Sequence, residues 1–279
     1  MTEPTIALAL GAGGARGLAH IHVLEAFDDL GIKLVALSGS SIGSVMVSAY
    51  ASGMSGLEIK AFTRSRFKIG TSLLSDLWNL RAGSLREFLN DGGPRLGGLK
   101  IERVMDVFLP ETIPQDFDGL SIPTQIVATD YFNHRAHAFD SGNLRLAMAA
   151  SSTVPAIFSP VMIDKTVYID GGITNPVPFD VLAGKADIII GVDVAGGPAG
   201  TPGTIPGKVD VLYAASQLMQ QSIAKAMAEH HQVDVFLRPE VGGYRVLDFM
   251  KSNEIIDATV PFKDDVKRAI EAAIENWKT

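Results

Sequence analysis

Leu34-Val35-Ala36-Leu37-Ser38-Gly39-Ser40-Ser41-Ile42-Gly43-Ser44-Val45-Met46-Val47-Ser48-Ala49-Tyr50-Ala51 joins a short apolar run, a tight Gly/Ser turn and a stretch of small and apolar residues. The apolar run predicts a buried strand over 34–37, and residues 43–51 predict a buried helix ending near Gly53. Between them, Gly39-Ser40-Ser41-Ile42-Gly43 fits G-x-S-x-G in the strand–turn–helix setting that gives the pattern its meaning. So sharp a turn strains the backbone of its central residue and leaves no room for neighbouring Cβ atoms, which is the use of Gly39 and Gly43. The Ser41 hydroxyl then stands at a helix N-terminus, where free N–H groups and the helix dipole favour negative charge. Ser41 is the candidate nucleophile; Ser40 carries a hydroxyl in the wrong slot. The bare five-residue pattern also occurs as an ordinary Gly/Ser turn.

Upstream, the apolar run Ile6–Leu10 enters Gly11-Ala12-Gly13-Gly14-Ala15-Arg16-Gly17. A strand, a glycine loop and a helix over 18–30 are predicted, with Gly31 as its stop. The loop has two readings. As a dinucleotide loop it is imperfect, because its glycines give G-x-G-x-x-x-G and strand 34–37 ends in Ser38-Gly39 where a ribose-binding acid belongs. A phosphate loop of the Walker type fails for want of Gly-Lys-Ser/Thr. As an oxyanion hole, the unshielded N–H groups of Gly13 and Gly14 can donate to an alkoxide, with Arg16 adding positive charge nearby. Only the second reading also accounts for the serine turn one strand later.

A serine nucleophile needs a base. Of the histidines, His20 and His22 fall in the first helix, His134 and His137 in a hairpin-like segment, and His230 and His231 at a helix end. The last two have the chain order of an α/β-hydrolase triad, but surface or helix-end roles are the expectation for all six. Asp170 is the better candidate. It follows the apolar run Val167-Tyr168-Ile169 and precedes Gly171-Gly172, so a carboxylate at a strand end can approach a serine closely. Burial there would raise its pKa and strengthen it as a proton acceptor. On local sequence alone, Asp170-Gly171 reads equally as a hairpin turn.

Other predicted elements are a capping box at Ser55-Gly56-Leu57-Glu58 opening a helix to about residue 67, a short helix at 84–90, and a helix at 100–108. Further along come strands at 122–129 and 135–139, a helix at 144–150, a hairpin over 161–169 and a central strand at 187–194. A Gly/Pro loop at 196–207, a helix at 210–230, a strand at 233–237 and a terminal helix at 263–277 follow. Residues 70–98 are expected to form a cap or lid. Phe67, Leu73, Leu74, Leu77, Trp78 and Leu80 are candidates for the rim of an apolar trough.

The chain has 279 residues, 47% of them hydrophobic and 20% charged, enough for one large core. Its formal net charge of −7 argues against nucleic acid as a partner. With no cysteine, disulfides and thiolate metal sites are excluded, and a reducing compartment fits. No H-e-x-x-H or other convincing metal pattern occurs, so neither metal nor cofactor is expected. The first basic residue, Arg16, follows the first apolar run rather than preceding it, and no run approaches a membrane span. The expectation is a cytoplasmic protein whose membrane contact, if any, is peripheral. Oligomeric state is left open.

Taken together, four segments in order resemble the patatin-like phospholipases of the bacterial, stand-alone type. They are the loop Gly11–Gly17 with Arg16, the turn Gly39–Gly43, the segment Ala150-Ser151-Ser152-Thr153-Val154-Pro155-Ala156-Ile157-Phe158-Ser159-Pro160, and Asp170-Gly171-Gly172 followed by Asn175-Pro176. The resemblance covers about residues 5–195, with 196–279 expected to continue the same single domain. It implies an α/β fold, a three-layer α/β/α sandwich with a mainly parallel central sheet. It implies Ser41 as nucleophile, Asp170 as its dyad partner, and Gly13, Gly14, Ile42 and Arg16 at the oxyanion site. Gly11, Gly39, Gly43, Gly171 and Gly172 support these motifs, and the 150–160 segment lines the pocket. The implied substrate is a lipid or other acyl ester. A small soluble ester or thioester is the alternative, and a nucleotide-binding regulatory protein the reading from another class.

Overall fold

The computed structural model describes residues 3–67, 101, 105, 109–155, 157–197 and 203–278. β1 (Ile6–Leu10) leads through a 3-10 turn (Gly14–Ala19) into α1 (His20–Leu30). β2 (Leu34–Ser40), α2 (Ile42–Ala51) and α3 (Gly56–Phe67) follow. β3 (Thr124–Asp130) and β4 (Arg135–Phe139) form a hairpin, then come α4 (Leu144–Ser151), β5 (Val161–Ile163), β6 (Thr166–Ile169) and β7 (Ile188–Val192). α5 (Lys208–His230), β8 (Val235–Leu237), α6 (Ser252–Ala258) and α7 (Phe262–Trp277) complete the described elements.

The strands make one sheet in the order β5-β6-β3-β2-β1-β7-β8, with β4 also on β3. β1 pairs in parallel with both β2 and β7, β2 with β3, and β7 with β8. β4, β5 and β6 form the antiparallel edge. Buried on both faces, β1 and β7 read as unbroken apolar runs, as central parallel strands must. Alternation sorts β1 between two cores. Ile6, Leu8 and Leu10 face the larger one, closed by α1, α2, α4, α6 and α7. Ala7 and Ala9 face a thinner one with Phe179, Leu182 and Ala224 of α5. The helix layers on both sides give the three-layer α/β/α sandwich that was expected. After residue 195, β8 extends the sheet beside β7, and α5 and α7 pack on opposite faces.

Several boundaries differ from expectation. The first helix begins at His20, because residues 14–19 wind as a tighter turn. β2 runs three residues further, through Ser38, Gly39 and Ser40, and the buried hydroxyls of Ser38 and Ser40 donate to the carbonyls of Pro178 and Asn175. α6 was not anticipated, being a short helix within a segment of mixed pattern. The Ser55 capping box forms, with Glu58 Oε2 accepting from Ser55 N and Glu58 N donating to Ser55 Oγ. The expected helix at 84–90, the lid over 70–98 and the rim residues Leu73, Leu74, Leu77, Trp78 and Leu80 lie outside the described residues, as does the helix at 100–108 apart from Ile101 and Met105. No helix among the described residues is long and apolar enough to cross a membrane.

Candidate active site

Ser41 sits between β2 and α2 with φ 53° and ψ −124°, a left-handed backbone that costs a non-glycine residue roughly 1–3 kcal/mol. Its surroundings hold it there. Ser41 N donates to Ser151 Oγ at 2.8 Å, and Ser151 Oγ donates to the Val127 carbonyl at 2.6 Å, tying the turn to α4 and β3. The Ser41 carbonyl accepts from Ser44 N and Ser44 Oγ. α2 approaches β1 so closely that a Cβ on Gly43 would stand 2.0 Å from the Leu10 carbonyl oxygen. Only glycine fits there, which is the physical content of the second glycine of the motif.

Asp170 follows β6 directly, and the register pairs Ile169 with Thr129 next to the end of β2. Its Oδ2 accepts the Ser41 hydroxyl at 2.7 Å, and its Oδ1 accepts Gly172 N at 2.8 Å. Both residues are almost wholly buried, at 5% and 4% exposure. Burial pushes the Asp170 pKa up from 3.8 to about 6, against the opposing pull of its bonds to Ser41 and Gly172. Gly171 allows the approach, since a Cβ there would meet the Val127 carbonyl oxygen at 2.0 Å. The carboxylate is thus a hydrogen-bonded acceptor with one oxygen fixed by backbone and the other on the serine.

The glycine loop forms the opposite wall. Gly11 N, Ala12 N and Ala15 N donate to the carbonyls of Val192, Pro176 and Val246. The amides of Gly13 and Gly14 donate to no acceptor among the described residues, and both glycines line the pocket that holds Ser41 and Asp170. Two open amides suit a single developing oxyanion better than a pyrophosphate. Arg16 takes a different place from the one expected. Its guanidinium is buried away from the pocket and donates to the carbonyls of Ala195, Gly197 and Tyr244. Gln217, with its amide oxygen toward Arg16, accepts from it at 3.1 Å and donates to Gly197 at 3.2 Å. A buried guanidinium must satisfy five N–H groups, and these carbonyls do so, making Arg16 a clasp behind the loop. Ile42 packs its side chain on Gly17, and its N–H is the first of α2.

The pocket is also lined by Val154, Pro155 and Ile173 and, from the far part of the chain, Ala195, Ser216, Gln217, Gln220 and Val246. Val154 and Pro155 belong to the segment expected there. The α5 residues and Val246 were missed; Ser216, Gln217 and Gln220 share one helical face, but that spacing alone does not mark a pocket. Ser151 was missed as the partner of the Ser41 amide, for nothing local distinguishes it from Ser152.

No histidine lines the pocket. His20 and His22, expected at the surface or a helix end, are fully buried. His20 Nε2 bonds the Gly11 carbonyl at 2.9 Å, and burial lowers its pKa to about 4, so it is neutral and donates. His22 lies between Glu25 and the Ile256 carbonyl. His230 closes its own helix end on the Ala226 carbonyl. Among the described residues there is no group of three or more acidic or histidine side chains arranged to hold a metal.

The family model described as patatin-like phospholipase matches residues 8–183, more than half of the chain. The chain belongs to the patatin-like phospholipase family. Among its patatin-like relatives, an uncharacterized NTE family protein of Mycobacterium tuberculosis is 32% identical over 200 residues, covering 71% of this chain and 51% of that protein. The human patatin-like phospholipase domain-containing protein 6 is 30% identical over 197 residues, 70% of this chain and 14% of that protein. The chain therefore spans about half, or much less, of the curated relatives it matches. Among solved structures, human GIVD cytosolic phospholipase A2 aligns with a TM-score of 0.49 at 12% identity, over 98% of this chain and 60% of that one.

Proposed function

We propose that this patatin-like chain is a serine hydrolase that cleaves carboxylic esters of lipids by acyl transfer. The observation that carries the reading is the 2.7 Å bond from the Ser41 hydroxyl to a buried Asp170 whose pKa is pushed up, in a pocket without histidine. Asp170 Oδ2 takes the hydroxyl proton as Ser41 Oγ attacks the ester carbonyl. The oxyanion is received by the N–H groups of Gly13, Gly14 and Ile42, each worth roughly 2.7–4 kcal/mol at the transition state. The proton passes from Asp170 to the departing alcohol, which leaves an acyl-serine. Water then gives a proton to Asp170 and its oxygen to the acyl carbon, the bond from that carbon to Ser41 Oγ breaks, Asp170 returns the proton to Ser41 Oγ, and the carboxylic acid leaves. Val154, Pro155, Ile173 and Val246 offer an apolar wall for the acyl part, and the hydroxyl of Ser216 and the amide of Gln220 offer a polar one for the alcohol part.

The test is labelling of the full chain with a fluorophosphonate, with mass-spectrometric mapping, beside turnover of p-nitrophenyl esters of increasing acyl length. Label on Ser41, lost in Ser41→Ala together with turnover, is the expected result. Label elsewhere, or turnover kept in Ser41→Ala, would refute the reading. Preference for the shortest esters, without response to micelles, would replace the lipid by a small soluble ester or thioester.

A further inference from the structure

The turn joining β3 to β4 holds two aromatic side chains out of the fold. Tyr131 is 51% and Phe132 71% exposed, their rings packed edge to face with centroids 5.0 Å apart. The turn is well fixed. Asp130 accepts from Asn133 N and Nδ2, His134 closes it at φ 54°, and Tyr131 N donates to the Val167 carbonyl at 2.9 Å. Val167 is paired across to Met162, itself 66% exposed. Tyr131 and Phe132 share this one turn, and Met162 stands across Val167 from Tyr131, so three exposed large apolar side chains are grouped at one end of the sheet.

Its place in the fold matters. Ser40 is level with Val127, which puts Ser41 level with Ala128 and Tyr131 three residues further on. At about 3.3 Å per residue the turn reaches some 10 Å beyond the nucleophile, off the same carboxyl end of the sheet. The surround carries both signs: exposed Arg135 and Lys165 beside exposed Asp164 and buried Asp130. We infer that the 131–134 turn with Met162 is a bilayer-docking surface, which enters a zwitterionic lipid surface and brings the mouth of the Ser41 pocket to the headgroup level. A convex aromatic tip suits a lipid interface, where apolar groups enter to about 5–10 Å, matching its reach past the nucleophile. The balanced local charge and the chain's net −7 leave no basic field to draw anionic lipid, so apolar insertion supplies the binding. This inference rests on the lipid-ester reading for its purpose, but its test does not.

The test uses the full chain carrying Ser41→Ala, so that no lipid is consumed, and sedimentation with phosphatidylcholine vesicles. Phe132→Ser should weaken partitioning roughly tenfold or more, Tyr131→Ser with it further, and Phe132→Trp should keep it. The same tip substitutions in the chain with Ser41 intact should leave turnover of a soluble short ester unchanged, whereas hydrolysis of vesicle lipid falls. Equal vesicle binding by the Ser variants, no binding by the parent chain, or binding only to vesicles containing phosphatidylglycerol would overturn the inference. So would self-association of the parent chain that Phe132→Ser abolishes, since the patch would then join two copies. If Ser41 takes no label while the vesicle result holds, the hydrolase reading fails and the docking surface stands.

Discussion

Asp170→Asn should inactivate the protein and at the same time make it more stable at alkaline pH. The carboxyl pKa rises from 3.8 to about 6 on folding, roughly two units, so near pH 8 the ionised group costs the folded chain about 3 kcal/mol. Because the folded value is the raised one, this stability is present below the unfolded pKa and lost as pH climbs through about 6. Near pH 4 the folded carboxyl is protonated and the cost falls to about 0.5 kcal/mol. Wild type should therefore lose about 2 kcal/mol between those pH values that the variant does not, a relative shift of about 1 M in the urea midpoint. Asparagine keeps an oxygen for Gly172 N but turns a donor toward Ser41, so the offset at any one pH is smaller than the full cost; the pH dependence of the difference is the diagnostic quantity. His20, whose pKa is lowered, moves stability the other way on acidification, and it cancels because both proteins carry it. Urea titrations of both proteins at the two pH values, with ester turnover measured alongside, decide the matter. Parallel stability curves would mean that Asp170 is not a strained buried anion, and the basis for its action as a base would go with it.

Turnover itself should show an acid limb with its midpoint near pH 6, because Asp170 must be ionised to accept the serine proton; a pH–rate profile on a neutral ester reads this directly. Replacing His230 and His231 together by Ala should leave kcat within about twofold, since neither lines the pocket, and a collapse there would point to a histidine base instead. Gly43→Ala should cost at least about 3 kcal/mol, a fall in Tm of roughly 6–12 °C by calorimetry, as the new Cβ meets backbone oxygen that can yield only if α2 leaves β1.

What the sequence revealed was whatever its local pattern encodes. The run at 188–192 is apolar because both sheet faces are covered, and the five-residue serine motif states the clash at Gly43 in advance. Ser38 and Ser40 hid the end of β2, since their burial depends on carbonyls more than 130 residues away. Distance also concealed His22, whose Ile256 partner lies 234 residues on, whereas His20 was hidden by the fold of the glycine loop, which brings the Gly11 carbonyl back onto it. Arg16 was misread for a related reason. Its charge near a glycine loop suggests a role toward substrate, whereas the carbonyls that claim it come from residues 195–197 and 244. Pocket residues on α5 stayed invisible because a helix face with two glutamines and a serine carries no signature of its own.

The sheet order carries a message for how the protein is made. β1 lies between β2 and β7, so one of its edges waits until residues 188–192 have left the ribosome. At about 5–20 residues per second that interval is roughly 10–40 s, during which Ile6, Leu8 and Leu10 present an open, wholly apolar strand edge to other nascent chains. Slower initiation, lower temperature or a chaperone that masks such edges should raise the yield of soluble protein more than any substitution at the surface.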